Sequence, residues 1–419
     1  MKVLKDFGSL VGINFAVSAF SFYTTIVIAN HIGKESFGLY SLAIAVGVYG
    51  QVITRVGSDR ILIRELAHNI SNADIIVTAS LLLRLLVFLL GLIVFLALYK
   101  ETKYFDYIIV SMLGIILANA LKGFELQSVY DSFGKIAVHA LLNVSERIIF
   151  FVGIWVAILV FPKQFNLMWI GVTLVLSNVV CLILQLYGIK KYIRYSKINI
   201  SLINELLHLL KQSTWVWCAE IVALSFGTFT QIALANIAGA SRLGGYAAAY
   251  QITAIVMIFI AQIARVGNPK IALITLPEVN FQSRLNFVVK YSGIMFLCAL
   301  VICMPIAIFP DKLLSLMFNA EYDTSSLVTR ILCIYVVFYS LGAVASQYII
   351  SSKLQKSYFT SVILGGFINI VLCYELIPIY ADVGAALALC ISNSISMLIY
   401  FLVMMRHIFR HKNLNIAIP

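Results

Sequence analysis

In one apolar run of this 419-residue chain, Lys135, His139, Asn143 and Arg147 recur at i, i+4, i+8 and i+12, with Glu146 on the same edge. On a helix, that spacing makes one polar stripe among Ile, Val, Leu and Phe. Such a stripe is the pattern expected where a helix lines a water-filled lumen; the alternative is a self-satisfied Glu–Arg cluster inside a helix bundle. Asn14, Ser18, Ser21 and Thr25 form a second stripe, and Glu220, Gly227 and Gln231 occupy the matching places 206 residues later. Glu220 is a lone acid in an apolar stretch, where burial favours the neutral carboxyl. It is therefore a candidate for proton coupling, against the alternative of a structural hydrogen bond to a neighbouring helix. Arg84 lies about ten residues into its own apolar run, roughly 15 Å deep by helical rise. A lumen role for it competes with a buried ion pair. Arg55 and Arg265, each at the end of a run, are either anion-capturing groups at a cytoplasmic mouth or plain anchors. Asp59 and Glu65 beside Arg55, Arg60 and Arg64 read as a local salt-bridge network.

The elements that position these groups follow from composition. Apolar residues make up 62% of the chain and charged residues 11%, against about 25% charged in soluble domains. The surplus must face lipid. Twelve apolar stretches, at roughly 7–30, 37–57, 75–98, 105–121, 137–161, 168–187, 212–238, 244–264, 287–309, 331–350, 358–377 and 384–405, predict twelve spanning helices and leave no room for a sizeable soluble domain. The first run is too long for a cleaved signal segment and reads as a helix. With the N-terminus cytoplasmic, 21 of the 30 Lys and Arg fall in inside segments and only Lys34, Lys100, Lys103, Lys163, Arg242 and Lys312 in outside loops. That asymmetry predicts both termini inside, and explains most of the net charge of +12 without a nucleic-acid partner. The seven cysteines stand singly in apolar runs, so neither a disulfide framework nor a metal site is expected, nor any cofactor.

The chain also repeats itself. Ala29-Asn30-x-x-Gly33-x-x-x-x-Gly38-x-Tyr40-x-x-Ala43 returns as Ala235-Asn236-x-x-Gly239-x-x-x-x-Gly244-x-Tyr246-x-x-Ala249. Arg55-Val56-Gly57 returns as Arg265-Val266-Gly267, and Ser177-Asn178 as Ser392-Asn393. Three matches in order, with offsets of 206, 210 and 215, predict two homologous six-helix halves, 1–199 and 200–419, in parallel orientation. The expected fold is an all-α integral membrane protein with about twelve transmembrane helices in two pseudo-symmetric six-helix bundles around a central cavity. Such halves can expose a cleft to each side in turn, which points to a transporter.

The segment IANHIGKESFGLYSLAIA (28–45), followed by RVGSDRILIREL (54–66), resembles the Wzx-type polysaccharide flippases of the multidrug/oligosaccharidyl-lipid/polysaccharide (MOP) exporter superfamily. The resemblance implies a multi-pass protein of the bacterial inner membrane, not an enzyme. It implies movement of an undecaprenyl-diphosphate-linked oligosaccharide, such as an O-antigen repeat unit, from the cytoplasmic to the periplasmic leaflet by cation-coupled antiport. It also implies membrane lipids and polysaccharide polymerase or chain-length machinery as partners. Under that expectation Arg84, His139, Asn143, Glu146, Arg147, Asn14, Thr25 and Gln231 line the lumen, Arg55 and Arg265 sit at the mouth, and Glu220 couples protons. A multidrug exporter of the same superfamily, with an acidic and apolar pocket, is the alternative. A membrane polymerase or ligase would need a larger outside loop than 310–328.

Overall fold

A computed structural model describes residues 2–99, 107–162, 164–276, 279–352 and 354–416. The described residues form fourteen α-helices with short 3-10 turns and no strand. Among the described residues, eight helices, or nine if one bent pair counts as a span, are long and apolar enough to cross a membrane. Two of them are double. Helix α1 (Lys2–Arg55) is interrupted by Gly33, and α14 (Gln355–Ile416) by Ala381, each with non-helical backbone. With those divided, and with the 15-residue α4 (Tyr107–Leu121) included, the twelve expected spans are present. The others are α3 (Ala73–Tyr99), α6 (Ile136–Val160), α7 (Leu167–Ile189), the bent pair α8 (Ile200–Ala223) and α9 (Gly227–Ala238), α10 (Ala240–Ile274), α11 (Phe281–Ile308) and α13 (Ser326–Ser351).

The chain divides into two compact units, one of residues 1–32 and 39–221, the other of 33–38 and 222–419. The expected boundary at 199/200 differs from this division at two places. Residues 200–221 pack with the first unit because α8 lays Leu202 and Leu209 into a core with Val56, Ile61, Ala79 and Leu83. The hexapeptide 33–38 packs with the second. Its Phe37 is fully buried against the rings of Phe318 and Tyr322. Lys34 Nζ donates to the Glu321 carbonyl at 3.0 Å and to Thr324 Oγ1 at 2.7 Å.

The first sequence repeat is visible in the backbone itself. Gly33 has φ 78 and ψ 167, and Gly239 has φ 89 and ψ 166. Both lie where a side chain is disfavoured, so each turn needs its glycine. Five residues on, a methyl at Gly38 would overlap the Ala240 carbonyl, and one at Gly244 would overlap the Lys34 carbonyl. Lys34 and Ala240 are themselves 206 apart, so the two contacts are a pseudo-symmetric pair. The second match is only chemical: Val56 and Gly57 turn left-handed, whereas Gly267 stays within α10 and carries the Tyr291 phenol against its backbone.

Two further devices position the polar groups. In the first unit the amphipathic α2 (Ser58–His68) buries Leu62 and Leu66 with Val129 and Tyr130 of the short α5 (Gln127–Ser132). Tyr130 donates to the Gln185 carbonyl and Gln185 Oε1 accepts from Leu126 N, which pins residues 122–132 beside α7. In the second unit α9 is preceded by a break at residues 224–226. Carbonyls released by such a break need donors in an apolar surround. Buried Asn369 supplies one to the Ser225 carbonyl, 2.7 Å from its Nδ2, and joins Thr230 at the Phe226 carbonyl at 3.1 Å, while Ser392 holds its Oδ1.

Candidate substrate-handling site

A charged cluster gathers in the first unit, where α1 ends and α2 begins. Arg84 is its centre, with 1% of its surface exposed. Its Nε lies 3.2 Å from Ser58 Oγ, and its Nη1 donates to the carbonyls of Gly123 and Glu125, each at 2.9 Å. Nη2 reaches Ser58 Oγ at 2.9 Å and Asp59 Oδ1 at 2.7 Å. These contacts use all five N–H donors of a guanidinium. Of the two expectations for Arg84, a lumen role and a buried ion pair, these contacts match the second: the side chain is sealed and fully bonded, and it staples the 122–126 turn to α2. Asp59 also accepts from Ser128 at 3.0 Å and lies 3.2 Å from Arg55 Nε.

The α6 stripe turns onto the same turn. His139 Nε2 stands 3.2 Å from Glu125 Oε1, and Asn143 donates to that oxygen at 2.9 Å. Glu146 Oε1 is 3.1 Å from Lys122 Nζ. Glu125, absent from the sequence-stripe reasoning, is thus the hub that receives His139, Asn143 and Arg55, the last at 3.6 Å. Burial pushes its carboxyl up, but His139, Asn143 and Arg55 outweigh that and hold it at about 2. Burial, and next the Arg147 charge, push the Lys122 ammonium below the ordinary lysine range against the pull of Glu146. Of the lumen candidates His139 and Glu146 are buried, and both are engaged with partners inside the unit.

What remains uncommitted is a short set. Arg147 is half-buried, within electrostatic reach of Lys122 and Tyr40, and makes no hydrogen bond or ion pair among the described residues. Glu220 is likewise half-buried and unpaired, with Arg55, Arg60 and Asp59 the charges nearest in effect. Arg55, the expected mouth residue, is already shared between Asp59 and Glu125. Thr25 bonds back to the Ser21 carbonyl at 3.0 Å, and half-buried Gln231 belongs to the second unit. The side chains of Asn14 and Arg265 lie outside the described residues. The cluster holds Arg55, Arg60, Arg84, Lys122 and Arg147 against Asp59, Glu125, Glu146 and Glu220, a surplus of one positive charge.

The second unit has a buried arginine that the sequence reading counted only as a loop cation. Arg284, 1% exposed, reaches the carbonyls of Ile274 and Leu276 at 2.9 and 2.8 Å and fastens the end of α10 to the start of α11. Its one sequence signal is a cation just after the Asn280 cap, whose side chain accepts from Ser283 N.

Three comparisons bear on this arrangement. The profile of the family described as "Polysaccharide biosynthesis protein" matches residues 3–275. A relative from Staphylococcus aureus, "Capsular polysaccharide biosynthesis protein CapF", is 27% identical over 174 residues, 41% of this chain and 43% of that protein. The chain thus spans less than half the length of that relative. Among solved structures, an inward-facing multidrug resistance MATE family transporter of the MOP superfamily superposes with a TM-score of 0.77 at 15% identity, covering 95% of this chain and 96% of that one. The lipid II flippase MurJ in an inward closed conformation gives 0.74 at 13% identity, covering 96% and 89%. At those identities the likeness is one of fold. A multi-pass membrane protein with the fold of these two structures, matched by the family profile over most of its length, belongs to the polysaccharide biosynthesis protein family.

Proposed function

We propose that this protein is a flippase that moves an undecaprenyl-diphosphate-linked oligosaccharide, the repeat unit of a surface polysaccharide, from the cytoplasmic to the outer leaflet of the bacterial inner membrane. The observation that carries the reading is Arg147: a guanidinium within a membrane-spanning helix, half-buried and without a carboxylate partner. Charge at such depth is costly unless it has work to do, and a planar fork of donors matches a diphosphate. The diphosphate head needs such polar surface to cross about 30 Å of hydrocarbon, while its lipid tail can trail between helices. The family match and the capsule-related relative support a polysaccharide cargo. The 21-to-6 distribution of Lys and Arg supports both termini on the cytoplasmic side. That side then carries the Arg55–Glu125 cluster, and the Gly33 and Gly239 turns face outward. Glu220, unpaired beside that cluster, is the group we assign to proton-coupled antiport. Delivery to a polymerase at the outer face would complete the sequence.

The test is genetic and local. Deleting the gene should leave lipid-linked oligosaccharide on the cytoplasmic leaflet, and Arg147→Ala should do the same while the protein inserts at wild-type level. Full surface polysaccharide with Arg147→Ala would remove the residue from the cargo path. Normal leaflet distribution in the deletion strain would overturn the flippase reading.

A further inference from the structure

The second unit contains a cavity of about 510 Å³ that nothing above has used. It sits beside the break between α8 and α9, with Phe226 in its wall, and is completed by α10, α13 and both limbs of α14. Tyr339, Tyr358 and Tyr400 contribute rings, Gln347 and Asn393 amides, and Ser396 a hydroxyl. The Tyr358 and Tyr400 rings are stacked at 5.5 Å with 14° between their planes. Among the described residues no Lys, Arg, Asp, Glu or His belongs to the lining. The volume is within the roughly 300–1,000 Å³ usual for small-ligand sites, and a broken membrane helix is a recurring mark of a transporter binding site.

Asn393 adds a second, independent observation, because the Ser-Asn repeat lets it be compared with its counterpart. In the first unit Asn178 is buried and spends its amide on the carbonyls of Ala118 at 3.2 Å and Leu174 at 2.9 Å. In the second, Ser392 keeps a buried structural bond to Asn369, but half-buried Asn393 makes no hydrogen bond among the described residues and faces the cavity. Gln347, on α13, is in the same state. Amide groups held without partners in a hydrophobic protein favour a ligand that supplies both donors and acceptors. Tyrosine rings favour a ligand with apolar C–H faces. Those demands meet in a polyhydroxylated ring.

We propose that this cavity binds sugar rings of the cargo's glycan. The proposal rests on the lipid-linked oligosaccharide reading above. It assigns Asn393 and Gln347 to the sugar hydroxyls, and Tyr358, Tyr400 and Tyr339 to the ring faces.

The experiment uses the full-length protein in nanodiscs and two probes. One is the oligosaccharide released by mild acid from the producing cell's lipid-linked pool, followed by saturation-transfer NMR. The other is inorganic pyrophosphate, followed by phosphorus line broadening. Asn393→Ala and Gln347→Ala, on different helices, are each expected to weaken glycan binding about tenfold, the loss of one or two hydrogen bonds. Pyrophosphate broadening should stay at the wild-type level in both. Wild-type glycan binding in both variants would overturn the cavity assignment, as would glycan binding lost only in Arg147→Ala. No glycan signal from the wild-type protein, with pyrophosphate also silent, would overturn the cargo reading itself and this proposal with it.

Discussion

Arg84 offers the sharpest test of how the charged cluster works. In Arg84→Ala, Asp59 loses its 2.7 Å partner but keeps Arg55 at 3.2 Å and Ser128 at 3.0 Å. The carbonyls of Gly123 and Glu125 lose their donors outright, and a buried acceptor left unmet costs about 1–3 kcal/mol. Breaking a buried ion pair from one side costs about 3–5 kcal/mol. With Asp59 still partly paired, the lower half of that range is expected. Arg84→Lys keeps a charge but offers three donors in place of five, and should fall between the wild type and Arg84→Ala. Because Asp59 and Arg84 touch, Asp59→Asn combined with Arg84→Ala should cost less than the two single changes added together. The readouts are folded yield in membranes and thermal unfolding of purified protein in detergent, with surface polysaccharide measured in parallel. Export should fall only in proportion to folded protein. An Arg84→Ala protein with wild-type yield and melting but no export would refute the reasoning and return Arg84 to the cargo path.

Glu125 is held at about 2 in the folded protein against an ordinary 4.5, so its stabilisation is present above the higher value and is lost as pH falls toward the lower one. Glu125→Gln should flatten the acid limb of the stability profile between about pH 4.5 and 2; an unchanged profile would show that the His139 and Asn143 contacts do not persist. Gly38→Ala and Gly244→Ala should each reduce folded yield by at least the 1–3 kcal/mol typical of overpacking, and by similar amounts, because each methyl meets a backbone carbonyl. Gly293→Ala, with open space around its Cβ position, should instead be neutral or stabilising; equal behaviour of all three would refute the paired-turn account. Glu220→Gln should leave transport indifferent to an imposed pH gradient in proteoliposomes, and a retained gradient dependence would transfer the coupling role elsewhere.

The twelve spans and the internal repeat were legible because each is written in local residue type. Apolar run length announces a membrane helix, and Gly33 and Gly239 announce turns that share one backbone conformation, φ 78 and ψ 167 against φ 89 and ψ 166. The α6 stripe was legible as a stripe, but its destination was not. His139, Asn143 and Glu146 meet Glu125 and Lys122 on a turn that periodicity cannot place, and Arg84 ends on backbone carbonyls that carry no sequence signature. A spacing rule reports which face is polar; it cannot tell a face that lines a lumen from one that closes on another loop. The break at 224–226 was hidden for a related reason. Ser225 and Phe226 are ordinary residues, and what holds the break open is Asn369, more than 140 positions away.

The exchanged hexapeptide also sets an order of events during biosynthesis. Segment 33–38 is made early, yet Ala240 and Gly244, its turn partners, follow about 200 residues later, and Glu321 and Thr324 later still. At about 5–20 residues per second, the first unit's leading helices wait roughly 10 to 40 s with a cationic, glycine-flanked turn that has nowhere to dock. The first unit can thus gather its own helices, but the turn that interrupts α1 is finished only by residues 240–244 and 318–324 of the second. A nascent chain halted between Ile221 and Ala240 should react at Lys34 with a water-soluble amine reagent faster than the released protein, in which Glu321 and Thr324 engage the Lys34 ammonium.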